Sequence, residues 1–373
     1  MKMIIAADSF KGSLSAVEAC NIIAGQAERV FPQAEIVQLP ISDGGEGLVE
    51  VVFSALGGER KIVHTSDPLG REISVSYLQL ADGSALIEMA GAGGLTLLKP
   101  LEYDPLRTGT FGVGLMLLDA IKAGADPIYI GLGGSATVDG GTGAATAIGM
   151  RFLDGQGENV TSGGGLVKIQ NLDIYGLREL NYSGKLIFLT DVNNPLCGPS
   201  GAAEVFGPQK GATREQVRQL DQGLQNLADL IEHRTGLNLK ETPGMGAAGG
   251  FALPFAAFMG AEIRSGIEFV LDLLKFDEQL VGTDLVITGE GSTDAQSAMG
   301  KAISAVARRS REAGLRVAVI SGLIGEGAEK MLELGVDDLV QATPAGQDLE
   351  TALERAAENL KNAAREYFVN LRS

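Results

Sequence analysis

Five short stretches of this chain carry the residue types that chemistry needs. They are Asp8-Ser-Phe-Lys-Gly-Ser-Leu-Ser15, Ser42-Asp-Gly-Gly-Glu-Gly47, the glycine-rich segment 131–143, Asp191-Val-Asn-Asn-Pro-Leu-Cys-Gly198 and Gly289-Glu-Gly-Ser-Thr-Asp294. Each combines glycine with a carboxylate or a lysine. Glycine allows positive φ and close backbone approach, and successive N–H groups aimed into one concavity suit an anion. Carboxylates beside such loops are the parts of Mg-assisted phosphoryl transfer. The metal neutralises phosphate, the N–H groups hold it, a lysine offsets developing charge, and a carboxylate orients or deprotonates the attacking hydroxyl. Any one of these acids alone reads as a turn former or helix cap. Their recurrence after strands is what favours a shared chemical role.

The segment 130–143, IGLGGSATVDGGTG, is the richest of the five. Six of its fourteen residues are glycine and its only charge is Asp139. A β-branched and aromatic run precedes it and an alanine-rich run follows, so it reads as strand, loop and helix. That is either a phosphate cradle or a tight turn under close packing. Gly244-Met-Gly-Ala-Ala-Gly249 satisfies a bare G-x-G-x-x-G. It follows Glu-Thr-Pro243 rather than a strand, so it reads as a helix start packed on a neighbour. No G-x-x-x-x-G-K-[ST] occurs, Gly300-Lys301 being the nearest piece. His64 and His233 are the only histidines and lie outside the five loops, which disfavours histidine or zinc chemistry. Cys197 has no histidine beside it and reads as a small hydrophobe.

The elements that must position these loops follow from periodicity. Apolar runs at 3–7 and 35–39 alternate with helices at 16–30 and up to 56, the first opened by the capping box Ser15-Ala-Val-Glu18. That alternation predicts a parallel sheet whose ligands lie at the carboxyl ends of its strands. Strands at 75–80 and 85–89 joined across Ala81-Asp-Gly-Ser84 read as a hairpin, which marks a second, mixed sheet. A strand at 186–190 leads into Asp191. Alternation returns with strands at 285–288, 317–321 and 338–342, a helix from about 301 to 313, and one long terminal helix over 348–371. We therefore expect an α/β fold: a doubly wound Rossmann- or flavodoxin-like parallel sheet, formed by 1–61 and 262–373. A second α/β domain with a mixed sheet, 62–261, interrupts it and carries the glycine-rich loop.

Composition bounds the partners. The chain has 373 residues, 52 glycines and a net charge of −17. So acidic a balance argues against nucleic acid and anionic membranes, though not against a small anionic substrate. Cys20 and Cys197 fit no zinc or disulfide framework. No signal peptide and no run of about 18 apolar residues is present, so a cytoplasmic location is expected.

Taken together, the stretches DSFKGSLSA (8–16), SDGGEG (42–47), DPLGR (67–71), GLGGSATVDGG (131–141), DVNNPLCG (191–198), FGPQKGA (206–212), GMGAAGG (244–250) and VITGEG (286–291) resemble the bacterial glycerate kinases of the type without a Walker loop. The motifs run in the family's order from end to end. The resemblance implies ATP- and Mg²⁺-dependent phosphorylation of D-glycerate, with 2-phosphoglycerate the usual product of this type. The partner it implies is that small molecule, with a homodimer the one oligomer to consider. The chain departs from the family pattern at Ala7, Phe111, Leu115, Val138 and Ser292.

On this footing Asp191 and Lys11 are the expected catalytic residues, Asp191 orienting or deprotonating the hydroxyl. Gly133, Gly134 and Ser135 are expected to hold phosphate oxygens, with Asp139 beside them as a cofactor contact, in the metal shell or holding the loop. Asp8, Ser9, Asp43, Arg71 and Lys210 are the expected substrate contacts, Lys11 and Arg71 compensating negative charge. Glu290 and Asp294 are the expected Mg²⁺ ligands, with Asp43 competing. The alternatives are a kinase for another short hydroxy acid and a non-catalytic sensor of a sugar acid or nucleotide.

Overall fold

The computed structural model describes residues 1–295, 297–299 and 302–372. By its contacts the chain divides into two units: Met1–Asp43 with Glu50–Leu56 and Ser265–Ser373, and Gly44–Val49 with Gly57–Arg264.

The first unit is built on five strands, of which the three central ones are apolar because both faces are covered. Lys2–Ala7, Leu285–Gly289 and Arg316–Ser321 are almost wholly buried. The sheet is all parallel, ordered Glu35–Gln38, Lys2–Ala7, Leu285–Gly289, Arg316–Ser321, Asp338–Gln341. Counted along the chain this is 2-1-3-4-5, the flavodoxin-like order. Its order reverses between Lys2–Ala7 and Leu285–Gly289, where Ala7 lies opposite Gly289. The next residues on these strands, Asp8 and Glu290, therefore leave the sheet side by side.

Helix Ala16–Val30 begins as its sequence predicts. Ser15 Oγ accepts from the Glu18 N–H at 3.2 Å, and Glu18 Oε2 accepts from the Ser15 N–H at 2.9 Å. Helix Ala356–Arg372 packs on it, with Phe31 and Phe368 edge to face at 6.4 Å. The long terminal helix expected from the sequence is in fact two, Leu349–Glu354 and Ala356–Arg372, because Arg355 leaves helical geometry at φ −100, ψ 14. The helix expected from about 301 is Ala302–Glu312; Gly300 and Lys301 lie outside the described residues.

The second unit holds a six-stranded mixed sheet. Four strands are parallel, in the order Glu262–Arg264, Leu186–Leu189, Ile128–Gly131, Ala85–Glu88. Glu72–Gln79 and Glu59–Ser66 continue it antiparallel. The hairpin across 81–84 is present, pairing Leu78 with Leu86. Strand Glu59–Ser66 was not anticipated. Only its Val63 and Thr65 are buried, so it is an edge strand whose charges mask the alternation. The helix after the glycine loop is shorter than its alanine-rich sequence suggests, Thr142–Ala147. The core closes over Phe188, which meets Phe251 at 5.5 Å and Phe255 at 5.6 Å. Among the described residues no helix is long and apolar enough to cross a membrane.

Candidate functional site

In the first unit the topological switch point opens into a cavity of about 280 Å³. Open α/β sheets place ligands there because the two flanking loops diverge. Asp8, Ser9, Lys11, Asp43, Glu290 and Asp294 all line it, so six residues singled out from the sequence meet in one place. Phe10, Leu323 and Leu353 supply an apolar wall. Asp8 is 7% exposed. Its Oδ1 accepts from the Ser9 N–H at 2.6 Å, and Oδ2 has no hydrogen-bond donor among the described residues. Burial, then the neighbouring charge of Asp43, pushes its carboxyl up to about 7; the Ser9 N–H and Lys11 oppose this, and Glu290 adds to it. Lys11 reaches Asp43 at 3.8 Å with a side chain that is 82% exposed. Glu290 Oε1 accepts from Ser297 Oγ at 2.5 Å, and Asp294 Oδ1 from the Ser297 N–H at 3.3 Å. Ser297 is thus a positioning residue that no sequence pattern marked. No group of three or more His, Cys, Asp or Glu among the described residues is placed to hold a metal ion by itself. Two carboxylates at one cavity still suit Mg²⁺, which binds through one or two carboxylates plus phosphate oxygens and water.

The second unit presents a different arrangement at the carboxyl ends of its parallel strands. Gly131 lies opposite Leu189, so the glycine loop and Asp191 leave adjacent strands at one edge of the sheet. Close packing accounts for several of the loop's glycines. A Cβ on Gly131 or Gly133 would collide with the backbone of Gly44 or Gly45, and one on Gly141 with Phe251. Those glycines answer close packing. Gly134, at φ +70 and exposed, answers the loop's own curvature. The backbone N–H groups of Gly133, Gly134 and Ser135 meet no acceptor among the described residues. Behind them lies Lys210, 2% exposed, whose Nζ donates to Ser135 Oγ and to the Thr137 carbonyl, each at 2.7 Å. Burial pushes the Lys210 amine down to about 7, against the pull of the Asp139 charge. Because Ser135 Oγ accepts from Lys210, its own proton is left to donate outward.

Asp139 takes a structural role. It is 0% exposed. Its carboxylate accepts from the Thr110 N–H at 2.8 Å, Thr110 Oγ1 at 2.7 Å, the Gly141 N–H at 3.1 Å and the Gly143 N–H at 3.3 Å. Burial raises its pKa and these donors oppose the rise. With its oxygens enclosed it holds the loop and cannot itself touch a nucleotide. Arg71 is likewise engaged, pairing with Asp67 and with Glu102. Asp191 is half-buried after strand Leu186–Leu189. Val138 is a core residue at 0% exposure, and Gly249 of the G-x-G-x-x-G stretch packs on its backbone. That stretch packs on a neighbour as expected but does not start a helix: it is a single 3-10 turn, Ala247–Gly249, broken by Ala248 at φ 51, and the α-helix begins only at Leu253. The Cys197 thiol is pushed up to about 12, chiefly by burial, which denies it thiolate character.

Comparison with known proteins places this geometry. The glycerate kinase family model matches residues 3–371. A glycerate kinase from Halalkalibacterium halodurans is 41% identical over 369 residues, 98% of this chain and 97% of that protein. The glycerate 2-kinase of Escherichia coli strain K12 is 38% identical over 373 residues, 100% of this chain and 98% of its own. A crystal structure from Salmonella typhimurium LT2, provisionally named glycerate kinase 2, superposes with a TM-score of 0.84 at 40% identity, covering 100% of this chain and 98% of that one.

Proposed function

Because the chain belongs to the glycerate kinase family, we propose that it transfers the γ-phosphoryl group of ATP to a hydroxyl of D-glycerate, with 2-phosphoglycerate as product. The observation that carries the ATP reading is the run of three backbone N–H groups, Gly133 to Ser135, with no acceptor among the described residues and a buried lysine behind them. Such donors are pre-aimed at phosphate oxygens and need no reorganisation as charge develops. The name of the Escherichia coli relative supports position 2 of glycerate.

In the transfer, a glycerate hydroxyl oxygen bonds to the γ-phosphorus, the bond to the ADP oxygen breaks, and the hydroxyl proton goes to a carboxylate. Asp8 is the favoured acceptor. Asp8 lines the cavity, its Oδ2 has no donor among the described residues, and a carboxyl pushed up to about 7 is basic enough to take a proton near neutral pH. Asp191 is the second candidate for this role, or orients the hydroxyl. Lys11, with Ser9, offsets the charge of the glycerate carboxylate. Glu290 and Asp294 would hold Mg²⁺, whose chemistry is to neutralise phosphate charge, and Asp43 keeps Lys11 over the cavity.

A coupled ADP-release assay with Mg-ATP and D-glycerate tests the reading, with phosphorus NMR of the product. Turnover that requires D-glycerate and yields 2-phosphoglycerate is expected. Turnover only with another C3 or C4 hydroxy acid would replace the substrate, and a 3-phosphoglycerate product would replace the regiochemistry. Binding of ATP or glycerate in calorimetry with no turnover would make the chain a sensor.

A further inference from the structure

A second cluster of charge lies in the first unit, between the two helices that pack through Phe31 and Phe368. A groove of about 620 Å³ opens there, lined by Gln26, Arg29 and Val30 of helix Ala16–Val30 and by Arg365, Val369 and Arg372 of helix Ala356–Arg372. The spacings, 26/29/30 and 365/369/372, put each trio on one helix face. Three arginines therefore converge on a groove whose lining, among the described residues, contains no carboxylate. In a chain of net charge −17 that is a local reversal of sign. Other arginines in this unit are met by acids, Arg309 by Glu268, Asp272 and Asp277, and Arg316 by Asp338. Arg29 and Arg365 form no ion pair among the described residues.

The helix dipole accounts for part of this. Arg29 and Arg372 lie in the last turns of their helices, where cations are favoured. Arg372 Nη1 also donates to the Val30 carbonyl at 3.1 Å. Two features remain. Arg365 lies two turns before its helix ends. Gln26 is 5% exposed and makes no side-chain hydrogen bond among the described residues. Gln26 stands on the wall of the same groove, so its amide N–H₂ is a further donor for an anion there. Guanidinium groups match phosphate oxygens bidentately, and the volume exceeds that of a bare ion.

We propose that this groove is an anion site for a small molecule carrying a phosphate ester or pyrophosphate group. Arg29, Arg365 and Arg372 bind its phosphate oxygens, the Gln26 amide meets a polar group beside them, and Val30 and Val369 face its organic part. The site stands on residues that take no part in the proposed reaction, so it does not depend on that reading. Calorimetric titration of the full chain with inorganic pyrophosphate, free of Mg²⁺ and at low ionic strength, tests it. Any pyrophosphate held by the loop 133–135 is common to wild type and variants. The Arg29→Ala/Arg365→Ala double variant is expected to lose one binding event, or to weaken it at least tenfold, with ATP-dependent turnover unchanged. Gln26→Glu, which sets a carboxylate into the groove, is expected to do the same. Arg365→Lys keeps the charge without the fork and is expected to weaken binding less. Identical isotherms for wild type and the double variant would overturn the proposal, as would wild-type protein that binds no pyrophosphate.

Discussion

Asp8 and Lys210 are buried titratable groups, each beside a loop at the carboxyl edge of its own unit's sheet, and burial drives both toward neutrality from opposite sides. The Asp8 carboxyl rises to about 7 and the Lys210 amine falls to about 7. What differs is how each is partnered. Lys210 donates to Ser135 Oγ and the Thr137 carbonyl and feels the opposite charge of Asp139. Asp8 has one backbone donor, like charges at Asp43 and Glu290 against the single opposite charge of Lys11, and a second oxygen with no donor among the described residues beside the cavity that Asp8 lines. A satisfied buried charge fixes a backbone; one left with an open atom is available for proton transfer. The glycine loop is thus a rigid mould, and the switch-point cavity is where a proton can move.

The largest effect expected from this contrast is on Asp8→Asn. The isosteric amide cannot accept the proton, so kcat should fall by about 10²- to 10⁴-fold with KM for ATP nearly unchanged. In wild type kcat should rise with pH through about 7 as Asp8 ionises. If Asp191→Asn carries the kcat loss instead, the contrast is misassigned and proton transfer belongs to the edge of the mixed sheet.

Lys210→Met comes next. It removes both hydrogen bonds that hold Ser135 and Thr137. Steady-state kinetics should show KM for ATP raised about tenfold, with a kcat loss smaller than that of Asp8→Asn. A kcat loss with KM intact would mean that the lysine acts on the reaction directly rather than by shaping the loop.

The two groups should also tilt stability in opposite directions with pH. Between 3.8 and about 7 folded Asp8 keeps a proton that the unfolded chain has lost, so its contribution falls as pH rises and the full cost is present above 7. Between about 7 and 10.5 Lys210 is neutral when folded and charged when unfolded, so its contribution rises with pH. Thermal midpoints of Asp8→Asn relative to wild type should climb by a few degrees from pH 4 to 7 and then level. For Lys210→Met the difference from wild type should be most favourable below pH 7 and decline above it. Parallel curves for the two variants would contradict the opposed burial.

The smallest expected effect is at Thr137, whose Oγ1 is buried without a partner among the described residues. Thr137→Val keeps the carbonyl that Lys210 uses. Chemical denaturation should find it neutral or stabilising, within about 1 kcal/mol, since no hydrogen bond is lost.

How far the sequence was legible depended on whether a signal was local. The capping box at Ser15, the hairpin at 81–84 and the buried strands announced themselves through spacing of neighbouring residues, and the structure has them all. Strand Glu59–Ser66 did not, because an edge strand with two buried residues barely alternates. The break at Arg355 did not, because nothing in the residue type requires it. At the site, the motifs named Asp8, Asp43, Glu290 and Lys210. They left open which glycines serve packing and which face a ligand, and they left Asp139 open between a cofactor or metal contact and a fixture of the loop, where the fold encloses it with four donors. The arginine groove was invisible for the same reason, since residues 29 and 365 share a surface only once two distant helices pack.

By itself, then, the sequence determined the α/β class, the family and the loops that carry polar residues, because periodicity and motif order are properties of the chain. Only the tertiary structure decided which carboxylate is open and which is enclosed, and where Lys210 points. Burial and hydrogen-bond partners are set by residues far away in the chain, and they decide whether a buried charge is a fixture or a reagent.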